Sequence, residues 1–368
     1  RVIKHIRIKY GCRACEQVVK TAPLPKQPIP KSIATPGLLA YVAVSKYQDA
    51  LPLYRQENIF KRHGIEIPRA TLANWMIKVG GSLLIPLINL MRDYLLSHRL
   101  IHYDESRYQV LIEPGKTAQS QSYMWVGVAG ALGQRVILFD YDPSRAGHVP
   151  IRLLDSFAGY LITDDYGGYN AVCRSNDIIR AGCWAHARRK FDEALKTQKH
   201  KAGKAQMAIN YIAKLYRVET AIADLVPEEK LKVRLEKSQP IISALRDWLD
   251  KSLPQIPPER KLGKALHYLN NNWTRLTRFL EDGIVPLDNN AAENAIRPFV
   301  VGRKNWLHSN SVKGAHASAA LYSVIETAKA NGLEPYTYLA YIFKELPLAE
   351  SVEDFEKLLP WRIDKGML

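Results

Sequence analysis

The sequence has few cysteines, no long hydrophobic run and fewer acidic than basic residues, and each shortage excludes a class of protein. Four cysteines in 368 residues are too few and too scattered for a disulfide scaffold, so we expect a reducing cytoplasm. No run of about 18 apolar residues occurs, so we expect no membrane-spanning helix. The first residues also lack the apolar segment of a signal peptide.

Two further elements are missing near the start of the chain. There is no initiator methionine, which predicts a fragment or a processed start. Cys12 and Cys15 form a Cys-x2-Cys knuckle, but a structural zinc site needs four ligands, commonly from two such knuckles. Either a partner pair lay upstream of Arg1 or these two thiols stand without metal. We favour the second reading and expect no bound zinc in this chain.

The excess of positive charge points to a partner. Lysine and arginine number 52 against 36 aspartate and glutamate, giving a net charge of +16 and a pI near 9.5. Such a balance favours a polyanion, and nucleic acid before a membrane surface. The hydrophobic fraction of 47% is that of an ordinary globular protein, and the length allows two or three domains.

The first third of the chain reads as helical after a short basic strand over 1–11 and a proline-rich linker over 21–36. We predict a helix over 52–62, a turn at Gly64 and a second helix beginning at Pro68, which together give a helix-turn-helix outline. Gly80-Gly81 should break the helical pattern after the second helix. The second helix offers candidate groove-reading residues, namely Arg69, Thr71 and Asn74. A helical hairpin that only packs against the core is the alternative.

From Leu100 the hydrophobic period changes to that of strands, predicted at 100–104, 122–129, 135–140, 160–164 and 178–183, with a helix over 149–157 before the fourth. Three strands in a meander, a helix and further strands predict an α/β fold with one mixed sheet. That order is the start of an RNase H-like fold. The chain is then helical from Trp184 to about Glu281, as a large insertion.

A helix opens after Pro286, where Asp288 or Asn289 can cap the first turn, and Pro298 should end or kink it. Beyond it, we predict a helix over 314–331 stopped by Gly332 and a capping box at Ser351–Asp354.

Three acids fall at positions that such a fold would bring together. Asp104 and Asp164 end neighbouring strands, and Glu293 lies on a helix that can pack over the same edge. Close carboxylates repel one another unless a cation neutralises them, and two Mg²⁺ or Mn²⁺ ions in such a site clamp the oxygens of a phosphoryl displacement. Taken singly, each acid is explained as well by turn chemistry or a solvated helix face.

Basic residues flank these acids. We predict phosphate contacts from Arg188, Arg189 and Lys190 and from Arg297, Arg303 and Lys304, with solvated helix faces as the alternative. Cys183 and His186 form a Cys-x2-His pair that could be half of a zinc site, but the sequence suggests no second half. We interpret the pair as a structural element or a wall of the active site.

At these residues the chain resembles the transposases of the insertion sequence 66 family, and the resemblance covers nearly the whole chain. The motifs that carry it are long: His102–Ser106, Asp164–Asn170, Cys183–Phe191, Leu287–Glu293, Gly302–Trp306 and Ile325–Gly332. The resemblance implies a bacterial DDE transposase with Asp104, Asp164 and Glu293 as catalytic, metal-binding triad. It also implies DNA as partner, a homo-oligomer on that DNA, and a cytoplasmic, nucleoid-associated location.

The resemblance also sets the expected organisation. We predict a remnant of a zinc-finger segment, N-terminally truncated, with its linker over 1–35, and a helix-turn-helix-like DNA-binding region over 36–98. An RNase H-like core follows in two parts, 99–199 and 286–333, separated by a helical insertion over 200–285, and a helical tail spans 334–368. Two other functions stay open: an RNase H-like nuclease that cuts without joining, and a decayed transposase that only binds DNA.

Overall fold

The computed structural model describes residues 3–15, 18–175, 177–196 and 203–368. Strands β1 and β2 form a separate hairpin, and the other six strands build one mixed sheet. The strands are β1 (Lys9–Gly11), β2 (Val19–Thr21), β3 (Leu100–Ile112), β4 (Gln121–Ala129), β5 (Val136–Asp142), β6 (Gly159–Ile162), β7 (Ile178–Ala181) and β8 (Ser309–Ser311).

The α-helices lie before, between and after these strands. They are α1 (Pro36–Tyr47), α2 (Leu53–Arg62), α3 (Arg69–Lys78), α4 (Ile85–Leu96), α5 (His148–Leu153), α6 (Val172–Ser175), α7 (Trp184–Leu195), α8 (Lys204–Ala221), α9 (Pro227–Val233), α10 (Gln239–Ser252), α11 (Lys261–Asn271), α12 (Trp273–Thr277), α13 (Asn290–Trp306), α14 (Val312–Ala330), α15 (Pro335–Glu345) and α16 (Val352–Glu356).

Strand β3 is the centre of the main sheet. The strand order is β5-β4-β3-β6-β7, with β4 antiparallel to both β3 and β5, and with β6 parallel to β3 and β7. The short β8 pairs in parallel with the far end of β3. The prediction of one mixed sheet is therefore confirmed, and β3 and β6, the strands that lead to Asp104 and Asp164, are neighbours.

Helix α14 protects the free edge of β5. The Ser323 and Thr327 hydroxyls accept hydrogen bonds from the amides of Phe139 and Ile137, at 2.7 and 3.0 Å. One turn further on, Asn331 accepts from the Arg135 amide and donates to its carbonyl. Side chains spaced by four residues thus replace a neighbouring strand and prevent pairing with another chain.

Two hydrophobic cores stabilise the molecule. The larger joins the N-terminal helices α1, α3 and α4 to the sheet and to α13, α14 and α15. The smaller lies among α7, α8, α10 and α11, and includes Ile162 and Ala181 from β6 and β7. The helices between the second and third acid therefore have a core of their own, which is anchored to the sheet at β6 and β7.

No single helix among the described residues is long and apolar enough to cross a membrane. By length and composition alone, one pair bent by 52° could do so, namely Arg69–Leu83 with Ile85–Leu96.

Most predicted elements occur, with differences at their ends. Strand β3 continues eight residues beyond Asp104, because β4 and β8 pair with it there. The prediction that Pro298 ends its helix is wrong, since α13 runs to Trp306 and buries Phe299 against aromatic neighbours. The stop at Gly332 and the capping box at Ser351 are confirmed. The strand predicted over 1–11 is too long, since only Lys9–Gly11 is a strand and residues 3–8 are not. Its first two residues and the boundary at 199–200 lie outside the described residues.

The glycine pair interrupts the α-helix as predicted, since α3 ends at Lys78 and a π-helical turn follows over Val79–Leu83. The segments Arg69–Leu83 and Ile85–Leu96 are bent by 52° relative to one another. Gly80 packs directly on the backbone of α14. A Cβ at Gly80 would lie 2.7 Å from Ala317 Cα, whereas one at Gly81 would meet nothing within 4 Å.

This contact predicts opposite results for two adjacent substitutions. Gly80→Ala should lower the free energy of unfolding by about 1–3 kcal/mol, because α3 or α14 must shift. Gly81→Ala should leave it unchanged or raise it by up to about 1 kcal/mol. Urea unfolding of both variants measures the difference, and equal stability would show that α3 and α14 are not in close contact at Gly80.

Candidate active site

The register of β3 and β6 brings two acids together. Leu100, Ile101 and His102 pair in parallel with Tyr160, Leu161 and Ile162. Continuing that register by two residues places Asp164 beside Asp104. Strand β6 ends at Ile162 while β3 continues, so Asp104 lies within its strand and Asp164 in the loop that follows its own.

The pKa of Asp104 is shifted by its burial and its acidic neighbours. Burial, together with the charges of Glu105, Asp164 and Glu293, raises the pKa of Asp104 from 3.8 to about 7, against a hydrogen bond from the Glu105 amide. Like charges in a partly buried place disfavour ionisation. A divalent cation between these carboxylates would relieve the repulsion, and carboxylate oxygens are the ligands that Mg²⁺ and Mn²⁺ prefer.

Arg180 holds the loop that carries Asp164. Its buried guanidinium donates to the carbonyls of Asp164 and Tyr166, at 2.7 and 2.8 Å, and to the side chains of Thr163 and Asn170. Asp164 Oδ1 accepts from the Tyr166 amide at 2.9 Å, which closes a turn. The position of this carboxylate therefore depends on an arginine from β7.

The neighbouring acid, Asp165, has different surroundings. Its side chain is exposed and pairs with Arg275 Nη1 at 3.3 Å. Of the two tandem acids, it is Asp164 whose charge acts on Asp104.

Asn289 fastens the start of α13 to β3. Its side-chain oxygen accepts from His102 Nδ1 at 3.0 Å, and its amide nitrogen donates to the Tyr103 carbonyl at 2.8 Å. Burial lowers the pKa of His102 to about 4, so the ring is neutral and donates from Nδ1. The two residues that precede Asp104 on β3 and the start of the helix that carries Glu293 are therefore joined by one buried amide.

Asp288, rather than Asn289, serves the first turn of this helix. Asp288 Oδ1 accepts from the Asn290 amide at 3.1 Å, and Tyr216 donates to Oδ2 at 2.9 Å. Of the two residues expected to cap α13, Asn289 instead contributes its backbone amide to Cys183 Sγ at 3.3 Å.

Glu293 faces His186 and Arg189 of α7. Its Oε1 lies 3.5 Å from His186 Nδ1, and its Oε2 accepts from Arg189 Nη2 at 3.5 Å. Ligand atoms of Cys183, His186 and Glu293 all lie within 4.8 Å of one another. The Cys-x2-His pair of the sequence is thus a neighbour of the third acid.

Glu105 is part of a buried network beside the acids. Its carboxylate accepts two hydrogen bonds from Arg145 and one of 2.6 Å from Tyr169, and its side chain is 1% exposed. Arg145 lies over the Tyr166 ring, 3.8 Å from its centroid. Removing the charge of this buried carboxylate would take the ion-pair partner from the half-exposed Arg145, so Glu105 supports the site structurally.

The predicted DNA contacts lie at or near the surface. On α3, Arg69 and Asn74 are exposed and Thr71 is half-buried. On α7, Arg188 is exposed beside Asp192 and Lys190 lies over the Tyr268 ring. The α13 candidates are Arg297 and Lys304, both exposed, and Arg303, which is half-buried and donates to Ser106 on β3.

Sequence reasoning missed the residues that position the acids. Arg180, Asn289 and Arg145 are polar residues in or beside apolar segments, and no spacing rule connects them to their partners. Two weak signals existed: an arginine inside the apolar strand of β7, and an asparagine just before a helix.

A cavity of about 600 Å³ lies elsewhere in the molecule, and none of the three acids lines it. It is bordered by the π-helical turn, α4, β5 and α14. An enclosed pocket is typical of small-molecule sites, whereas DNA needs an open basic surface.

Two models of one known family match the chain. The family model described as "Transposase IS66 family" matches residues 31–317, and the model of the "IS66 C-terminal element" matches residues 323–361. The chain belongs to the IS66 transposase family, as the sequence motifs indicated, and such a family implies DNA as substrate.

Similar proteins occur in Sinorhizobium fredii (strain NBRC 101917 / NGR234). The uncharacterized protein y4qI is 32% identical over 98% of this chain and 68% of its own length. The uncharacterized protein y4jD is also 32% identical, over 98% of this chain and 72% of its own length.

The raised pKa of Asp104 predicts a pH-dependent gain in stability from removing its charge. Because the folded state binds this proton more tightly than the unfolded state, wild-type stability falls as pH rises from about 4 towards about 7. Asp104→Asn should therefore raise the free energy of unfolding at pH about 8 by roughly 1–3 kcal/mol. The gain should disappear near pH 4.

Denaturant unfolding across this pH range measures the effect. Asp165→Asn is the matched control, because that exposed carboxylate pairs with Arg275 and should give no such gain. If Asp104→Asn gained nothing at pH about 8, the carboxylate would not be in the like-charged surroundings described.

Proposed function

We propose that this chain is a DDE transposase, a phosphoryl-transfer enzyme that cuts DNA at the ends of an insertion sequence and joins the freed 3′-OH to target DNA. The observation that carries the proposal is the β3–β6 register, which sets Asp104 beside Asp164, with Glu293 fastened across them by Asn289. Family membership supports the same reaction.

The strand order supports an RNase H-like core. Three antiparallel strands are followed by a helix and two strands parallel to the first, so that β3 and β6 lie side by side. Functional residues in such sheets gather where neighbouring parallel strands end. Asp164 follows the end of β6, and Asp104 lies beside it within β3.

The donor set fits hard divalent cations. When bound, two Mg²⁺ or Mn²⁺ ions supply the positive charge that stabilises the attacking and leaving oxygens of an in-line displacement at phosphorus. Asp104 would contact both ions, Asp164 one of them and Glu293 the other. Arg180 holds the backbone at Asp164 and Asn289 the backbone just before Asp104, so these two acids need little reorganisation during the reaction.

Basic residues around the acids would bind the DNA backbone. Arg188, Arg189 and Lys190 on α7 and Arg297, Arg303 and Lys304 on α13 belong to the two helices that meet at Glu293. Helices α2 and α3 have the helix-turn-helix outline, and Arg69 and Asn74 are exposed on α3 for groove contacts. We expect a homo-oligomer on DNA, because two element ends must be cut and joined together.

The large helical segment between Asp164 and Glu293 favours a transposase over a simple nuclease of the same fold. It has its own core and contributes α7 to the site, which cleavage alone does not require. A strand-transfer assay with pre-cut element ends separates joining from cutting. Intact acids argue against a protein that only binds DNA.

Replacing any one acid with its amide should abolish both reactions. Asp104→Asn, Asp164→Asn and Glu293→Gln keep the shape but remove charge, so cleavage and strand transfer should fall together by at least about a hundredfold. DNA binding should persist or tighten, because an acid near phosphates has been neutralised. Cleavage and joining of labelled element ends with Mg²⁺ or Mn²⁺ measure both steps.

Asp165→Asn and Asp288→Asn are the matched controls and should keep more activity. Glu105→Gln is expected to lose stability instead, because it leaves Arg145 unpaired. An active Asp164→Asn with an inactive Asp165→Asn would reassign the second acid. Full activity of all three triad amides in a working assay would refute the DDE mechanism.

DNA binding should weaken steeply with salt, since phosphate contacts release counterions. Arg69→Ala should reduce the slope of log affinity against log salt concentration by about 1. Asn74→Ala, at another exposed position of α3, should lower affinity with the slope unchanged, because it removes no charge. Lys344→Ala on α15 is the control for an exposed lysine, and salt-independent binding would contradict the proposed phosphate contacts.

A further inference from the structure

Cys183, His186 and Glu293 bring three different metal-ligand types together. Cys183 directly precedes α7 and His186 lies in its first turn, while Glu293 comes from the first turn of α13. Their ligand atoms lie within 4.8 Å of one another. The fold thus adds a third ligand to the Cys-x2-His pair, for which the sequence suggested no partner.

The closest pair has the spacing of ligands around one ion. The atoms His186 Nδ1 and Glu293 Oε1 are 3.5 Å apart and both buried, and neither has a hydrogen-bond partner among the described residues. Zinc bonds of about 2.0–2.3 Å place tetrahedral ligands about 3.3–3.8 Å apart. Arg189 contacts the other carboxylate oxygen, Oε2, so Oε1 stays available for a cation.

The sulfur atom is also held in place. Cys183 is 1% exposed, and the Asn289 amide donates to Sγ at 3.3 Å. Burial raises the pKa of Cys183 to about 11, so the free thiol keeps its proton at neutral pH. A bound divalent ion takes the thiolate as ligand, and the proton passes to solvent.

We propose that Cys183, His186 and Glu293 bind one zinc-class divalent ion, Zn²⁺ or Co²⁺, with a fourth position open to solvent. Thiolate and imidazole favour such ions over Mg²⁺, so this site differs in chemistry from the all-oxygen cluster of Asp104 and Asp164. Metal binding here does not rest on the proposed function. Because Glu293 belongs to both sites, zinc should also inhibit DNA cleavage. That consequence does rest on the proposed function.

A chain with a single cysteine provides the test. Cys12→Ser, Cys15→Ser and Cys173→Ala together leave Cys183 alone, and the metal-free full-length protein is titrated with Co²⁺ in the absence of DNA. We expect one equivalent to bind with a thiolate-to-cobalt charge-transfer absorption, which Zn²⁺ abolishes by displacement. His186→Gln and Glu293→Gln should each weaken binding at least about tenfold, whereas Asp165→Asn should not.

Absence of that absorption in the folded single-cysteine protein, with folding checked by circular dichroism, would overturn the proposal. So would unchanged affinity in both His186→Gln and Glu293→Gln. If the multiple variant does not fold, X-ray absorption of the zinc-loaded wild-type chain decides. One sulfur with nitrogen and oxygen ligands supports the site, and two sulfurs would assign the metal to Cys12 and Cys15.

Discussion

The parallel pairing of β3 with β6 is the contact on which the candidate site depends. A shift of one residue would move Asp164 away from Asp104 and turn alternate side chains to the other face of the sheet. The register is fixed by apolar residues on both faces, since Ile101, Leu161 and Ile162 are fully buried. Arg180 then holds the loop beyond β6, so that Asp164 stays beside Asp104 after the strand pairing has ended.

The same arrangement has a cost in stability. Asp104 is partly buried among like charges, and its pKa of about 7 shows that the folded chain without metal disfavours the ionised form. Strain of this kind is typical of sites built to bind cations or to stabilise developing charge. The surrounding hydrogen bonds from Asn289, Arg180 and Arg145 offset part of that cost, and they do so without neutralising the acids themselves.

Glu293 contacts side chains that would compete with a metal ion for its carboxylate. Arg189 and His186 approach it from α7, while the charges of Asp104 and Glu293 act on one another. In the proposed reaction it has to exchange an arginine for a metal ion. The third acid is therefore the group at which metal identity and DNA binding can control activity.

Much of the sheet could be predicted from the sequence, because strand periodicity is a local signal. The prediction of adjacent strands for Asp104 and Asp164 is confirmed, and their catalytic role stays a proposal. What could not be predicted depends on distant contacts. Gly80 lies directly against Ala317, and α13 continues beyond Pro298 with Phe299 buried. Asn289 and Arg180 act through partners far away in the chain.

The central claim is that these acids share divalent cations, and anomalous diffraction from crystals grown with Mn²⁺ and element-end DNA tests it most directly. The account predicts manganese within about 2.2 Å of carboxylate oxygens of both Asp104 and Asp164, with Glu293 completing the cluster. Manganese bound to Asp165 instead, or its absence from this edge of the sheet while DNA is bound there, would contradict it.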